Sequence, residues 1–176
     1  LETLAHYSEH LGEMLAFRPV RPAQILFSHW RGAGYRFDPL GVLAVVTPWN
    51  YPVGIPMAEI VPAIGAGNTL VFKPASATVL TGLMLGDQAR RAGVPPGVLN
   101  TVALPGSVTD TVIDHPAVAK VLFTGSVEVG RHVARRCAER VIPAQLELGG
   151  KDAAVVAADA DLERTARGLV WGAFMN

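Results

Sequence analysis

Apolar positions along the chain follow two rhythms. Over residues 2–17, Leu4, Tyr7, Leu11, Met14 and Leu15 recur at helical spacing and predict a first helix. Residues 18–22 contain Pro19 and Pro22 and cannot continue it. Ile25-Leu26-Phe27 and Gly34-Tyr35-Arg36-Phe37 then read as two short strands of a long hairpin, with Gly32 and Gly34 marking the connection. This part lacks the continuous apolar runs of buried strands and reads as an arm or an edge.

From Leu40 the rhythm changes. Val42-Leu43-Ala44-Val45-Val46 is apolar throughout, as a strand covered on both faces must be. Val53, Met57, Ile60, Val61 and Ile64 form a helical stripe that Gly65-Ala66-Gly67 closes. Thr69-Leu70-Val71-Phe72 is a second strand. A helix begins at about Leu80 and ends at the turn Gly93-Val94-Pro95-Pro96-Gly97. Residues 99–103 form a third strand, 107–114 a helix and 118–123 a fourth strand. A helix with Val129, Val133 and Cys137 facing inward follows, then a fifth strand over 144–148, an apolar run over 153–157 and a last helix over 162–174. Strand and helix thus alternate through residues 40–143, which predicts an α/β, doubly wound, Rossmann-like parallel sheet with helices on both faces. Residues 1–39 form an N-terminal helix and hairpin arm, and 40–176 the dinucleotide-binding domain.

Such sheets bind ligands beyond the carboxyl ends of their strands. Asn50, Lys73, Ser126 and Glu147 each come at or after a strand end, so topology alone would gather them at one crevice. Glu147 stands out. It follows apolar Leu146 and precedes Gly149 and Gly150, and a carboxylate at the end of a buried strand is costly unless something uses or pairs it. A solvated turn glutamate is the plainer alternative. Gly65-Ala66-Gly67 starts like a dinucleotide fingerprint, but Leu70 stands where the third glycine belongs, and the run sits at the wrong pole of a helix for a phosphate. Thr124-Gly125-Ser126 opens a helix and suits an anion better, unless Ser126 is simply a helix cap.

Composition narrows the partners. Among 176 residues, 15 basic and 15 acidic side chains cancel, which points away from nucleic acid and anionic membranes. One cysteine allows no internal disulfide and fits a reducing, cytoplasmic setting. No apolar run approaches the roughly 20 residues of a membrane span. The histidines show no metal spacing. His6 and His10 are one turn apart without a third ligand, so no metal is expected. The chain begins at Leu1 and stops at Asn176 within an apolar helical pattern, as a fragment of a longer protein would.

Several stretches together resemble the aldehyde dehydrogenase family. They are Pro39-Leu40-Gly41-Val42, Thr47-Pro48-Trp49-Asn50-Tyr51-Pro52, Lys73-Pro74-Ala75, Gly93-Val94-Pro95-Pro96-Gly97-Val98-Leu99-Asn100, Phe123-Thr124-Gly125-Ser126 with Gly130, Glu147-Leu148-Gly149-Gly150-Lys151 and Asp159-Ala160-Asp161-Leu162. Their order and spacing are far more specific than any one of them. The resemblance covers the cofactor-binding domain and part of the oligomerisation arm and stops before the catalytic domain.

The resemblance implies oxidation of an aldehyde to a carboxylic acid with NAD(P), through a thioester on a cysteine shortly beyond Asn176. Asn50 is similar to the amide that stabilises the oxyanion, a fitting task for a side-chain N–H aimed at developing charge. An Asx turn is its plainer alternative. Glu147 resembles the general base that activates the attacking water, a role suited to a partly desolvated carboxylate. It favours water over coenzyme A as acyl acceptor. Lys73 looks like the cofactor-ribose ligand, Trp49 like part of the adenine-side wall, and Gly125 with Ser126 like the pyrophosphate site. Thr47, Pro48, Ala75, Ser76, Gly106, Phe123, Thr124, Val129 and Leu148 complete the implied cofactor contacts. At Ser76 many NAD-preferring members carry a glutamate that would repel a 2′-phosphate, so NADP is expected in preference to NAD. Ser76 acting only as a helix cap is the alternative.

The family's nucleophile is not among these residues. Cys137 lies on the apolar face of a helix and reads as a buried structural thiol. The implied partners are a small-molecule aldehyde and, for the full-length protein, further copies in a homodimer or homotetramer. This chain alone is expected to be inactive. A truncated, non-catalytic module that binds a dinucleotide or a partner subunit is the alternative reading.

Overall fold

The computed structural model describes residues 2–20 and 33–175. Helix α1 spans Glu2–Met14. It ends earlier than the apolar spacing predicts because Arg18–Val20 (β1) pairs antiparallel with Ala33–Tyr35 (β2), in the register Arg18↔Tyr35. A residue before proline is biased away from helix, and a two-stranded ribbon accepts Pro19 because both strands are edges. Among the described residues, the partner of the 34–37 stretch is β1. The expected strand at Ile25-Leu26-Phe27 lies outside the described residues. Gly34 is required at the crossing: a Cβ there would come within 2.7 Å of the Arg18 carbonyl oxygen.

The remaining strands form one parallel sheet in the order β5-β4-β3-β6-β7. They are β3 (Val42–Val46), β4 (Thr69–Lys73), β5 (Leu99–Thr101), β6 (Val118–Gly125) and β7 (Ala144–Leu148). Helices α2 (Gly54–Gly65), α3 (Val79–Arg91) and α5 (Val127–Glu139) make crossovers. The link from β5 back to β6 holds a 3-10 turn (Gly106–Val108) and the short helix α4 (Asp110–Ile113) instead of one continuous helix. Chain progression runs outward from β3 to β5 and then returns to β6 on the other side of β3, which creates a topological switch point.

Alternation along the strands separates two cores. Leu43, Val45, Leu70, Phe72 and Leu122 pack with Ile60 and Ala63 of α2. Ala44, Val46, Val121 and Phe123 pack with Ile113, Val133 and Cys137. Each large side chain buried this way contributes about 1.5–3 kcal/mol relative to exposure. Gly65-Ala66-Gly67 is a helix stop, as its position predicts. Gly67 takes φ +84°, and the Asn68 N–H bonds the Ala63 carbonyl at 3.1 Å, six residues closing on one.

Two expectations are corrected, those for Val129 and Glu147. Val133 and Cys137 are buried as predicted, but Val129 is 47% exposed, because the first turn of α5 projects past the strand ends. The apolar run 153–157 takes no regular structure, and Val155 in it is exposed. Glu147 does not end a buried strand. β7 pairs only with β6, as the outer strand of the sheet, and Glu147 is exposed. The last helix, α6 (Leu162–Phe174), is capped by the Asp161 carboxylate, which accepts from the Arg164 N–H at 3.0 Å.

Candidate functional site

A cleft of about 750 Å³ opens at the carboxyl ends of the strands, at the switch point. Val46, Lys73 and Phe123 are aligned across β3, β4 and β6, with register Val46↔Lys73 and Val46↔Phe123. They therefore share a sheet face and form the floor. Thr47, Pro48, Ala75 and Ser76 line one side. Gly106 of the 3-10 turn, Thr124 and Gly125 at the end of β6 and Val129 of α5 line the other side. Ten residues that the sequence assigns to cofactor contacts thus meet in one cavity.

The electrostatics of the floor fit an anionic, hydroxyl-rich ligand. Lys73 is 6% exposed, burial pushes its ammonium pKa down, and it has no carboxylate partner among the described residues. An isolated buried cation is unfavourable without an anion or acceptor to meet it. The Thr47 hydroxyl oxygen beside it is also buried without a hydrogen-bond partner among the described residues. Ser76 is exposed, and no side chain caps either the 3-10 turn Ser76–Thr78 or α3, so the capping alternative for Ser76 does not hold. The residues present therefore fit a dinucleotide carrying phosphates and ribose hydroxyls.

Ser126 caps α5, its Oγ accepting from the Val129 N–H at 3.3 Å, and does not line the cleft. Leu148 packs against Gly130 of α5, where an added Cβ would sit 2.3 Å from Leu148 Cδ2. Trp49 and Asn50 are exposed in the loop after β3 and stand away from the cleft wall. The Asn50 side chain makes no hydrogen bond to the described residues, so it does not form the Asx turn. Glu147 is also outside the cleft. Its register partner is Thr124, whose Oγ1 donates to Glu59 Oε1 of α2 at 2.8 Å, so both point to the α2 face of the sheet.

The sequence reading missed the far wall. Glu128, His132 and Arg135 of α5 line the cleft with Asp110. His132 Nε2 lies 2.9 Å from both Asp110 carboxylate oxygens, bracing α5 against α4. The signal was available, since His132 is one helical turn after Val129. Glu59 was missed too. Cys137 is 2% exposed, and burial pushes its thiol pKa up, only partly offset by Arg140. Among the described residues there is no group of acidic, histidine or cysteine side chains suited to a metal, and no helix long and apolar enough to cross a membrane.

A parallel doubly wound sheet with a cleft at its switch point, over a buried lysine, defines a dinucleotide-binding class of α/β protein. The profile of the aldehyde dehydrogenase family matches residues 14–176. Geranial dehydrogenase of Castellaniella defragrans is 45% identical over 141 residues, covering 80% of this chain and 30% of that protein. Among solved structures, an NAD-dependent aldehyde dehydrogenase from Sinorhizobium meliloti superposes with TM-score 0.87 at 38% identity, over 98% of this chain and 34% of the other. An NADP-dependent glyceraldehyde-3-phosphate dehydrogenase from Bacillus halodurans, complexed with NADP, gives TM-score 0.89 at 36% identity, over 98% and 36%. The chain belongs to the aldehyde dehydrogenase family and spans about 30% of the length of the curated relatives it matches.

Proposed function

We propose that this chain is the NAD(P)-binding portion of an enzyme that oxidises an aldehyde to a carboxylic acid. The observation that carries the reading is the buried, unpartnered Lys73 on the floor of a cleft at the sheet's switch point. Lys73 holds the adenine-ribose side of the cofactor, and Ser76 donates to a 2′-phosphate, which makes NADP the preferred form. Gly125 lets the backbone approach the pyrophosphate at the amino end of α5. When bound, the cofactor supplies a hydride acceptor. Asn50 directs a side-chain N–H at the oxyanion that develops on the substrate's carbonyl oxygen. Glu147 then takes a proton from the water that hydrolyses the acyl group.

The test is Glu147→Gln in the full-length enzyme. Loss of the base leaves a burst of reduced cofactor and lowers steady-state turnover by on the order of 10²–10⁴. Unchanged steady-state turnover would mean that another group activates the water.

A further inference from the structure

The far wall of the cleft carries groups that the cofactor assignment leaves unused. Asp110 begins α4, His132 lies on α5 one turn after Val129, and both line the cleft. His132 Nε2 lies 2.9 Å from both Asp110 carboxylate oxygens. A carboxylate only accepts, so the His132 N–H donates and holds the carboxylate in one orientation. Among the described residues no other group bonds the Asp110 side chain, so it keeps free lone pairs. Glu128 and Arg135 flank His132 along α5 and line the same wall. The wall thus has no single sign of charge, and a neutral group with hydrogen-bond donors suits it better than a phosphate does.

We propose that Asp110 reads the adenine base of the dinucleotide, its carboxylate accepting from the exocyclic amine, with His132 as the residue that positions it. This rests on the reading of the cleft as a cofactor site. In that reading the ribose lies at Lys73 and the pyrophosphate at Gly125. Base and pyrophosphate leave the ribose from opposite ends of its ring, so the base falls to the remaining wall, between residues 106–110 and α5. An amine offers hydrogens to the carboxylate, whereas the ring carbonyl of hypoxanthine offers only lone pairs, so Asp110 selects adenine.

The experiment measures Kd by titration calorimetry on the full-length enzyme, for NADP and for its hypoxanthine analogue. Wild type binds NADP about tenfold more tightly, the low end for a hydrogen bond to a charged acceptor, because the Asp110 side chain is half-exposed. Asp110→Asn, which can donate as well as accept, brings the ratio to about one. His132→Phe keeps a ring on the wall but lets the carboxylate turn, and moves the ratio part of the way to unity. His132→Gln still donates and restores it, a rescue that a purely packing role would not give. The His132 pair decides the matter should Asp110→Asn fail to fold. Equal affinities in wild type, or a ratio that Asp110→Asn or His132→Phe leaves unchanged, overturn the proposal. Failure of the cofactor reading looks different: wild type then binds neither dinucleotide, or Lys73→Met leaves both affinities unmoved, and the proposal falls with it. With that reading intact, Lys73→Met weakens both dinucleotides alike and keeps their ratio.

Discussion

Replacing Ser76 by glutamate in the full-length enzyme tests the cofactor assignment with a calculable effect. Ser76 lies at the exposed rim of the cleft, whereas Lys73 lies buried on its floor. A carboxylate about 4 Å from a unit negative charge costs ~1 kcal/mol in water and ~4 kcal/mol at an effective dielectric near 20. Exposure of the Ser76 position places the cost near the aqueous end. A 2′-phosphate carries about 1.5–2 charges, so the penalty comes to ~2 kcal/mol. At 1.4 kcal/mol per tenfold, kcat/KM for NADP falls by roughly 30-fold. NAD has free ribose hydroxyls that the new carboxylate can accept from, a charge-assisted bond of ~1.5 kcal/mol or about tenfold in its favour. The NADP/NAD ratio therefore shifts by on the order of a few hundred.

The assay is kcat/KM for both cofactors in wild type, Ser76→Glu and Ser76→Gln. The glutamine variant matches the glutamate in size without its charge, and so retains most of the NADP activity. The loss in Ser76→Glu shrinks as salt is raised from 0.05 to 0.5 M, where the screening length falls from more than ~10 Å to roughly 4 Å. A wild type that strongly favours NAD, with a ratio unmoved by Ser76→Glu, refutes the assignment. Equal losses in the two variants would trace the effect to shape instead of charge.

Four further outcomes follow from the same geometry. Lys73→Met weakens cofactor binding by about 10–100-fold, the worth of one charged hydrogen bond, and titration calorimetry reads it directly. The same variant unfolds at a higher temperature without cofactor, because it removes a buried cation that burial already disfavours. Glu59→Gln raises the melting temperature at pH 7–8. A folded pKa raised above the unfolded value leaves the fold stabilised while the carboxyl is protonated and weakens it as pH rises through the carboxylate range, so the gain of the variant fades toward pH 4. The 176-residue chain alone reduces no NAD(P) with an aldehyde, since its one cysteine, Cys137, is buried with its thiol pKa raised; measurable turnover would refute this.

The sheet was legible because its strands are continuous apolar runs, and their alternation already assigns Leu43 and Ala44 to opposite faces. Topology alone was expected to gather Asn50, Lys73, Ser126 and Glu147 at one crevice, and only Lys73 lines it: Ser126 turns back to cap α5, and Asn50 and Glu147 stand outside, while Thr47, Ser76 and Gly125 were named through the family resemblance. The pairing of β1 with β2 was not legible. It depends on a close backbone crossing at Gly34, which spacing along the chain does not encode. Glu59 was hidden more deeply. On α2 it occupies a polar position between apolar ones, where a solvated side chain is the default expectation. Only the contact with Thr124, 65 residues away, draws it out of water. Glu147 was misjudged in the opposite direction. Its neighbours are apolar, but an outer strand leaves one edge without a partner.

The parity of the strands also constrains where the proposed chemistry can occur. Lys73 and Phe123 point to the α5 face with Val46, and Leu146 joins that core. Thr124 and Glu147, one residue further on, point to the α2 face. A cofactor held on the cleft floor and a base on Glu147 are thus on opposite sides of the sheet. The two can serve one substrate carbon only beyond the ends of β6 and β7, where the sheet no longer separates them. Asn50 belongs to the loop that leaves β3 at the same end, and its unbonded side chain is free to turn toward that point. On the proposed assignment, a reacting centre over the strand ends accounts for two features together. The cleft floor at Lys73 and Thr47 is buried, whereas Asn50 and Glu147 are exposed.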